Sequence, residues 1–186
     1  MKNLLSIVFV IGSTFLLNSQ SVNKLKKDLL NSIEEKTLEL TSLSNKIWEA
    51  AEVAFREDKS AEYLIEYAEA NGLTIERGLA GMPTAFTASY GKGKPVIGII
   101  GEFDALPGLS QTTAPYRDEL IEGGAGHGCG HNLFGTASLG AAIAIKELIE
   151  KGSIEGTVKF FGTPAEEKFF GKLWMIRDGV FDDVDI

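Results

Sequence analysis

Both histidines and the only cysteine of this 186-residue chain lie in one short segment, residues 126–132. The segment reads Gly-His-Gly-Cys-Gly-His-Asn, so Cys129 and His131 project to the same side of an extended backbone. Thiolate and imidazole are ligands that zinc prefers, and glycine lets the backbone turn sharply near an ion. The segment therefore predicts a metal site that includes Cys129 and His131.

Two other roles for Cys129 remain open from the sequence. A lone cysteine is most often a buried structural thiol, and a single cysteine forms no disulfide within the chain. A thiolate beside a histidine base can also act as a nucleophile, although the sequence identifies no oxyanion hole for it. A metal ion would hold Cys129 as a thiolate, and the start of a predicted helix just after it favours the same charge.

Two acidic pairs follow predicted strands. Glu102 and Asp104 are spaced to face one site, and Glu166 and Glu167 are adjacent. At a metal site one carboxylate of such a pair can be a ligand while the other accepts a proton from water. By itself, the first pair is as typical of a solvated loop as of a functional site, and the second is more typical of an exposed acidic pair at a helix start. Since open α/β sheets bind ligands at the carboxyl ends of strands, all three clusters together predict a catalytic zinc-type site.

Apolar residues recur at helical spacing in four parts of the chain. The pattern predicts a helix over residues 21–54 with a break at Ser42 and Ser44, a helix capped by Asp58 that ends at Asn71-Gly72, an apolar helix over 134–149 and a short helix over 172–177.

Four segments have the pattern of strands: residues 73–77, 84–90, 96–100 and 157–161. The glycine-rich turn at residues 91–94 predicts a hairpin of the second and third strands, and the continuous apolar run predicts burial of the third on both faces. The apolar helix between the last two strands makes a βαβ unit. We therefore predict an α/β fold with a mixed, parallel-rich sheet flanked by helices.

The two ends of the chain predict an incomplete domain behind an export signal. Lys2, an uncharged apolar run over residues 4–17 and a small polar segment have the order of a signal peptide, and the run is short for a membrane span. We assign residues 1–20 to a signal peptide and residues 21–186 to a catalytic domain. The protein is then exported, periplasmic or extracellular. Residues 180–186 read as the start of a strand, which predicts truncation in mid-fold.

Charge and composition exclude some functions. The formal net charge is -8, which argues against a broad basic surface for nucleic acid or anionic lipid. With 44% hydrophobic and 24% charged residues, the chain has the composition of a folded domain rather than of a disordered one.

Taken together, these motifs resemble those of the zinc-dependent aminoacylase/carboxypeptidase family of metallopeptidases. Within it, the chain is similar to the amidohydrolase subfamily that includes aminobenzoyl-glutamate hydrolase. The resemblance covers roughly residues 44–186 and rests on five segments: 47–49, 81–86, 102–111, 126–133 and 163–167. It implies two divalent metal ions, with zinc favoured and manganese or cobalt as alternatives, and a metal-activated water that cleaves an amide bond.

The resemblance also implies roles for single residues. Cys129, His131 and Glu167 match metal ligands, Glu166 matches the general base, and Asp104 falls where relatives carry a supporting acid. Glu102 and His127 receive no role. The implied substrates are N-acyl amino acids, aminobenzoyl-glutamate or dipeptides. No stable membrane span is expected once the signal is removed.

The chain has fewer of the ligand residues and domains than the family implies. The family has further histidine ligands downstream and an inserted dimerisation domain, whereas this chain has two histidines. The resemblance thus implies a homodimer for the full-length protein and an inactive fragment for this chain. A non-catalytic zinc-binding or interaction module remains the alternative, together with a thiol hydrolase that uses Cys129. A spare carboxylate such as Glu166 favours the enzyme, because a structural zinc site needs no base.

Overall fold

The computed structural model describes residues 22–186. The predicted signal peptide, residues 1–20, therefore lies outside the described residues. The helices are α1 over residues 22–35, α2 (Thr37–Ala50), α3 (Asp58–Ala70), α4 (His131–Glu150), α5 (Glu166–Phe169) and α6 (Gly171–Arg177). The strands are β1 (Thr74–Arg77), β2 (Phe86–Lys92), β3 (Val96–Glu102) and β4 (Gly156–Thr163).

The break in the first long helical segment lies at Lys36, so its predicted position at Ser42 and Ser44 is wrong. Packing against α4 carries the helix through the serines, since the Ser44 hydroxyl accepts a hydrogen bond from Asn132 Nδ2 at 3.0 Å. Near the observed break, the Thr37 hydroxyl donates to the Glu34 carbonyl at 2.8 Å and competes with the helical bonds there.

Helix α3 begins and ends close to the predicted residues, but Asp58 does not cap it. Asp58 is the first helical residue, and the Glu52 carboxylate accepts hydrogen bonds from the Lys59 N–H at 3.1 Å and the Ser60 N–H at 2.8 Å. A carboxylate at this position satisfies backbone donors that have no partner within the helix. The cap comes from an earlier part of the chain, which spacing alone did not indicate.

The four strands form one mixed sheet in the order β1-β2-β4-β3. The β1–β2 and β2–β4 pairs are antiparallel, and β3 pairs with β4 in parallel. The α/β class, the mixed sheet and the predicted β3-α4-β4 unit are confirmed, but the described sheet is not parallel-rich, because only one of its three strand pairs is parallel. The predicted hairpin is wrong, because β4 lies between β2 and β3.

Burial explains why β4 is the central strand. Val158 and Phe160 are fully buried on one face of β4, and Phe161 is buried on the other. Strand β3 has less buried surface, with Ile100 exposed, so its predicted burial on both faces is met only in part. A strand with apolar side chains on both faces buries the most apolar surface at the centre of the sheet, so that position stabilises it most.

Helices cover both faces of this sheet. On one face α2, α3 and α4 pack over a large core that includes Ile47, Leu64, Phe86, Phe103, Leu139, Ile143 and Phe160. On the other face α6 contributes to a smaller cluster of Met82, Ala85, Phe161 and Met175. Helix α4 is long and apolar enough to cross a membrane, but 56% of its most apolar stretch is buried inside the fold. Its apolar character is explained by this packing.

The predicted strand over residues 180–186 does not form within the described chain. The backbone turns over residues 178–183, while Val180, Phe181 and Val184 pack against the smaller cluster. The Asp185 N–H donates to the Val96 carbonyl at 2.9 Å, and the Gly98 N–H donates to the Ile186 carbonyl at 2.8 Å. Residues 185 and 186 thus hydrogen-bond to the free edge of β3.

Candidate metal centre

His131, the first residue of α4, lies where β3 and β4 end. It is buried, and its Nδ1 lies 3.1 Å from Asp104 Oδ1 and 3.0 Å from the Asp104 carbonyl oxygen. These two acceptors favour a proton on Nδ1, which leaves the Nε2 lone pair free to coordinate an ion.

A second carboxylate lies on the other side of the same ring. Glu102 Oε2 is 3.0 Å from His131 Nε2, and Lys172 pairs with the other Glu102 oxygen. Glu102 and Asp104 therefore face one site, as their spacing predicts. Burial by itself lowers the pKa of His131, but the Asp104 hydrogen bond and the charges of Asp104, Glu102 and Glu167 outweigh it and raise that pKa. Without a cation, this surrounding favours imidazolium.

Asp104 connects the first residue of α4 with the turn that follows β4. It is 1% exposed, and its Oδ2 accepts a hydrogen bond from the Glu167 N–H at 3.0 Å. Burial raises the pKa of Asp104, and the bonds from His131 and the Glu167 N–H more than reverse this, so the pKa falls below its usual range. Asp104 thus remains a carboxylate that orients the His131 ring and the turn after β4.

Cys129, His131 and Glu167 offer sulfur, nitrogen and oxygen atoms that all lie within 4.8 Å of one another. Glu167 Oε1 is buried and has no hydrogen-bond partner among the described residues. Burial and the neighbouring charges of Asp104 and Glu166 raise the pKa of Glu167, although His131 and Cys129 oppose this. A buried acceptor with no partner is costly unless a cation or proton satisfies it, so the donor set fits a divalent metal.

The surroundings of Cys129 do not favour a thiolate in the absence of metal. Partial desolvation and the nearby Glu167 carboxylate raise the pKa of the thiol, with smaller effects from Glu166 and Glu102. The start of α4 does not offset these effects in the metal-free protein, so the pKa of Cys129 lies above its usual range. Cys129 is also exposed, which does not fit a buried structural thiol.

Glu166 belongs to a second group at the same place. Glu102, His131 and Glu166 each offer one atom within 4.8 Å of the others. The two groups share His131, so all of these side chains surround a common space. Glu166 and Glu167 are the first two residues of α5, and both are partly buried.

The turn that carries Glu166 and Glu167 has unusual backbone geometry. Ala165 has φ 59° and ψ 37°, in the left-handed region that residues other than glycine adopt rarely. The buried Glu57 carboxylate accepts a hydrogen bond from the Ala165 N–H at 2.8 Å. Burial raises the pKa of Glu57, and its backbone hydrogen bonds partly offset this. Sequence reasoning missed Glu57, since an acidic residue before a helix is ordinary.

His127 lies outside both groups. Its Nε2 is 3.1 Å from the Ile47 carbonyl, and its Nδ1 is buried with no partner among the described residues. Burial lowers the pKa of His127, so the ring is neutral. A cavity of about 190 Å³ adjoins it, lined by residues of α2 and of the loop over residues 109–128. The contact of His127 with the Ile47 carbonyl therefore connects α2 with the loop that precedes α4.

The fold is that of one class of protein, because residues 98–186 match the model of peptidase family M20/M25/M40. Among particular relatives, a subunit of the p-aminobenzoyl-glutamate hydrolase of Escherichia coli is 47% identical over 156 residues, 83% of this chain and 32% of the relative. Mouse Xaa-Arg dipeptidase is 30% identical over 174 residues, 87% of this chain and 37% of the relative.

A solved structure has the same fold. The Bacillus subtilis YxeP protein, described as a dinuclear metal-binding peptidase of the M20 family, aligns with a TM-score of 0.64 at 27% identity. The alignment covers 78% of this chain and 40% of the YxeP chain. The chain spans about a third of the length of the curated relatives that it matches.

Proposed function

We propose that the full-length protein is a metal-dependent amidohydrolase that cleaves the amide bond of small N-acylated amino acids. The observation that carries this proposal is the Cys129, His131 and Glu167 donor set, in which a buried Glu167 oxygen has no hydrogen-bond partner among residues 22–186. The likeness to hydrolases of the M20 family supports it.

In this proposal Cys129, His131 and Glu167 are metal ligands. When bound, the metal supplies Lewis-acid chemistry, which lowers the pKa of water and polarises a carbonyl group. A dinuclear relative supports two ions. Sulfur and imidazole donors favour zinc, with manganese or cobalt as alternatives.

Asp104 and Glu166 have separate tasks. Asp104 holds the His131 ring through Nδ1 and the turn after β4 through the Glu167 N–H, so both ligands are oriented before the ion arrives. Glu166 accepts a proton from the attacking water and returns it to the nitrogen of the leaving amine. Its carboxylate suits this task because it lies beside the donor set without completing it.

Aminobenzoyl-glutamate is the substrate that we propose first, because the relative with 47% identity hydrolyses it according to its name. Dipeptides and other N-acyl amino acids come next, since a dipeptidase is also similar. Because the first of these relatives is one subunit of its enzyme, we also propose that the full-length protein assembles with other chains. The resemblance to the metallopeptidase family favours a homodimer.

The test is Glu166→Gln in the full-length protein. The amide cannot accept the proton, so hydrolysis of p-aminobenzoyl-glutamate should fall by about 10²- to 10⁴-fold, while the bound metal is retained. Steady-state kinetics and metal analysis measure the two quantities, and the exposed Glu155→Gln is the matched control. Near-normal turnover with metal still bound would remove Glu166 from the reaction.

The same assay separates the two rival functions. A non-catalytic zinc module would bind metal and hydrolyse none of these substrates. A thiol hydrolase that uses Cys129 would keep its activity after a chelator removes the metal, whereas the proposed enzyme loses it. The raised pKa of Cys129 makes a thiolate nucleophile the weaker hypothesis.

A further inference from the structure

Glu57 is a buried acid outside the donor set. The side chain is fully buried, and its Oε1 accepts a hydrogen bond from the Ala165 N–H at 2.8 Å. Its Oε2 accepts a longer one, at 3.3 Å, from the Thr84 hydroxyl. Burial of a carboxylate is unfavourable unless specific partners satisfy it. The two hydrogen bonds therefore indicate what the buried Glu57 side chain does.

We propose that Glu57 is a positioning residue, whose carboxylate fixes the backbone at Ala165 and thereby sets where Glu166 and Glu167 point. The roles of those two glutamates rest on the proposed function. The position of the turn does not depend on it, because it follows from the hydrogen bond alone.

Helix capping does not explain this carboxylate. Glu57 occupies the N-cap position of α3, yet it makes no capping hydrogen bond with its side chain, and Glu52 accepts the bonds from the first turn instead. The Glu57 carboxylate reaches across to a residue 108 positions later in the chain. Its function therefore lies with the turn after β4.

The turn needs such a restraint because of its geometry. Ala165 is left-handed, with φ 59°, and α5 begins at the next residue. A rotation of the backbone at Ala165 would move both glutamates, which lie directly after it. The Asp104 carboxylate accepts the Glu167 N–H, so two buried acids hold the turn on either side of Glu166.

Two variants of Glu57 separate the effect of side-chain length from the effect of negative charge. Glu57→Gln keeps the length and an oxygen that accepts the Ala165 N–H, and its amide can donate to Thr84. Glu57→Asp keeps the charge but is one methylene shorter and cannot reach Ala165. Both preserve a polar group at the site, so both should fold.

The measurement is Zn²⁺ and Co²⁺ affinity of the full-length protein, by competition with a chromophoric chelator. We expect Glu57→Asp to lower the affinity about 10- to 100-fold, as removal of an orienting partner does, and Glu57→Gln to stay close to wild type. Glu62→Gln, which alters an exposed ion pair of the same helix, is the control. If Glu57→Asp matches wild type, or if the two variants lose affinity equally, the proposal is wrong.

Hydrogen exchange gives a readout that needs neither metal nor activity. In the metal-free protein the Ala165 amide should be protected in wild type and Glu57→Gln, and should exchange faster in Glu57→Asp. Equal protection in all three proteins overturns the inference. If wild type bound no divalent metal, the proposed function would fail, and the exchange contrast would then decide the role of Glu57 by itself.

Discussion

At the centre of the site, the His131 imidazole lies between two carboxylates, with Asp104 Oδ1 at 3.1 Å from one nitrogen and Glu102 Oε2 at 3.0 Å from the other. A neutral imidazole has a proton on only one nitrogen and can donate to only one of the two carboxylates. The arrangement is favourable when the ring is protonated on both nitrogens, or when a metal ion replaces the proton on Nε2. A proton and a metal ion therefore compete for His131 Nε2, and the same competition applies to the sulfur of Cys129.

Metal binding should release protons and strengthen as the pH rises. The pKa of His131 and that of Cys129 are both raised in the metal-free protein, so each group must lose a proton to become a ligand. As the pH rises through and above the usual titration range of histidine, we expect zinc affinity to increase. Calorimetry in buffers of different ionisation enthalpy measures the protons released. An affinity that is constant over this range would contradict the prediction.

At the level of elements, close contact between α4 and β3 holds His131 beside the ends of the strands. Gly101 and Gly135 permit this contact: a Cβ on Gly135 would lie 2.6 Å from the Glu102 carbonyl oxygen, and one on Gly101 would lie 3.1 Å from the Gly135 Cα. Backbone atoms of a strand cannot move aside easily. The two glycines thus set the distance between the first turn of α4 and the carboxylates that follow β3.

Gly135→Ala should push α4 away from β3. We expect a loss of stability of about 1–3 kcal/mol from overpacking, together with weaker zinc binding, because His131 moves relative to Asp104. Denaturant unfolding of the metal-free protein and a zinc competition assay measure the two effects.

Gly140→Ala is the matched control in the same helix. Its Cβ would meet the flexible end of the Leu40 side chain at 3.1 Å, and alanine favours a helix over glycine by about 1 kcal/mol. We therefore expect near-neutral stability and normal zinc binding. Equal effects of the two substitutions would show that the contact between α4 and β3 does not position the site.

For the whole molecule, the described residues form one large core and one smaller cluster on opposite faces of the sheet. The donor set lies at the carboxyl ends of the neighbouring strands β3 and β4, where α/β folds bind ligands. Because the chain spans about a third of its curated relatives, we propose that other parts of the full-length protein complete the ligand shell and the substrate pocket.

Residues 22–186 alone should bind zinc more weakly than the full-length protein and should not hydrolyse p-aminobenzoyl-glutamate. The reason is that a catalytic ion takes three protein ligands, and a two-metal centre needs more donors than Cys129, His131 and Glu167 supply. Zinc competition and hydrolysis assays on both proteins check this. Substrate turnover by residues 22–186 at the full-length rate would refute it.

The sequence by itself determined the chemistry of the site and most of the elements. Residue types and spacing predict Cys129 and His131 as ligands, the family resemblance adds Glu167, and the fold brings the three together. Periodicity also predicted α3, α4 and the βαβ unit, because hydrophobic spacing is a local property of the chain.

Only the tertiary structure decided the order of the strands and the partners that hold the site. The hairpin prediction failed because β4, remote in sequence, buries more apolar surface and takes the central place. Glu57 was overlooked because its partner, Ala165, is distant along the chain. Local spacing carries no information on such contacts, which form when packed helices and strands bring distant backbone and side-chain groups together.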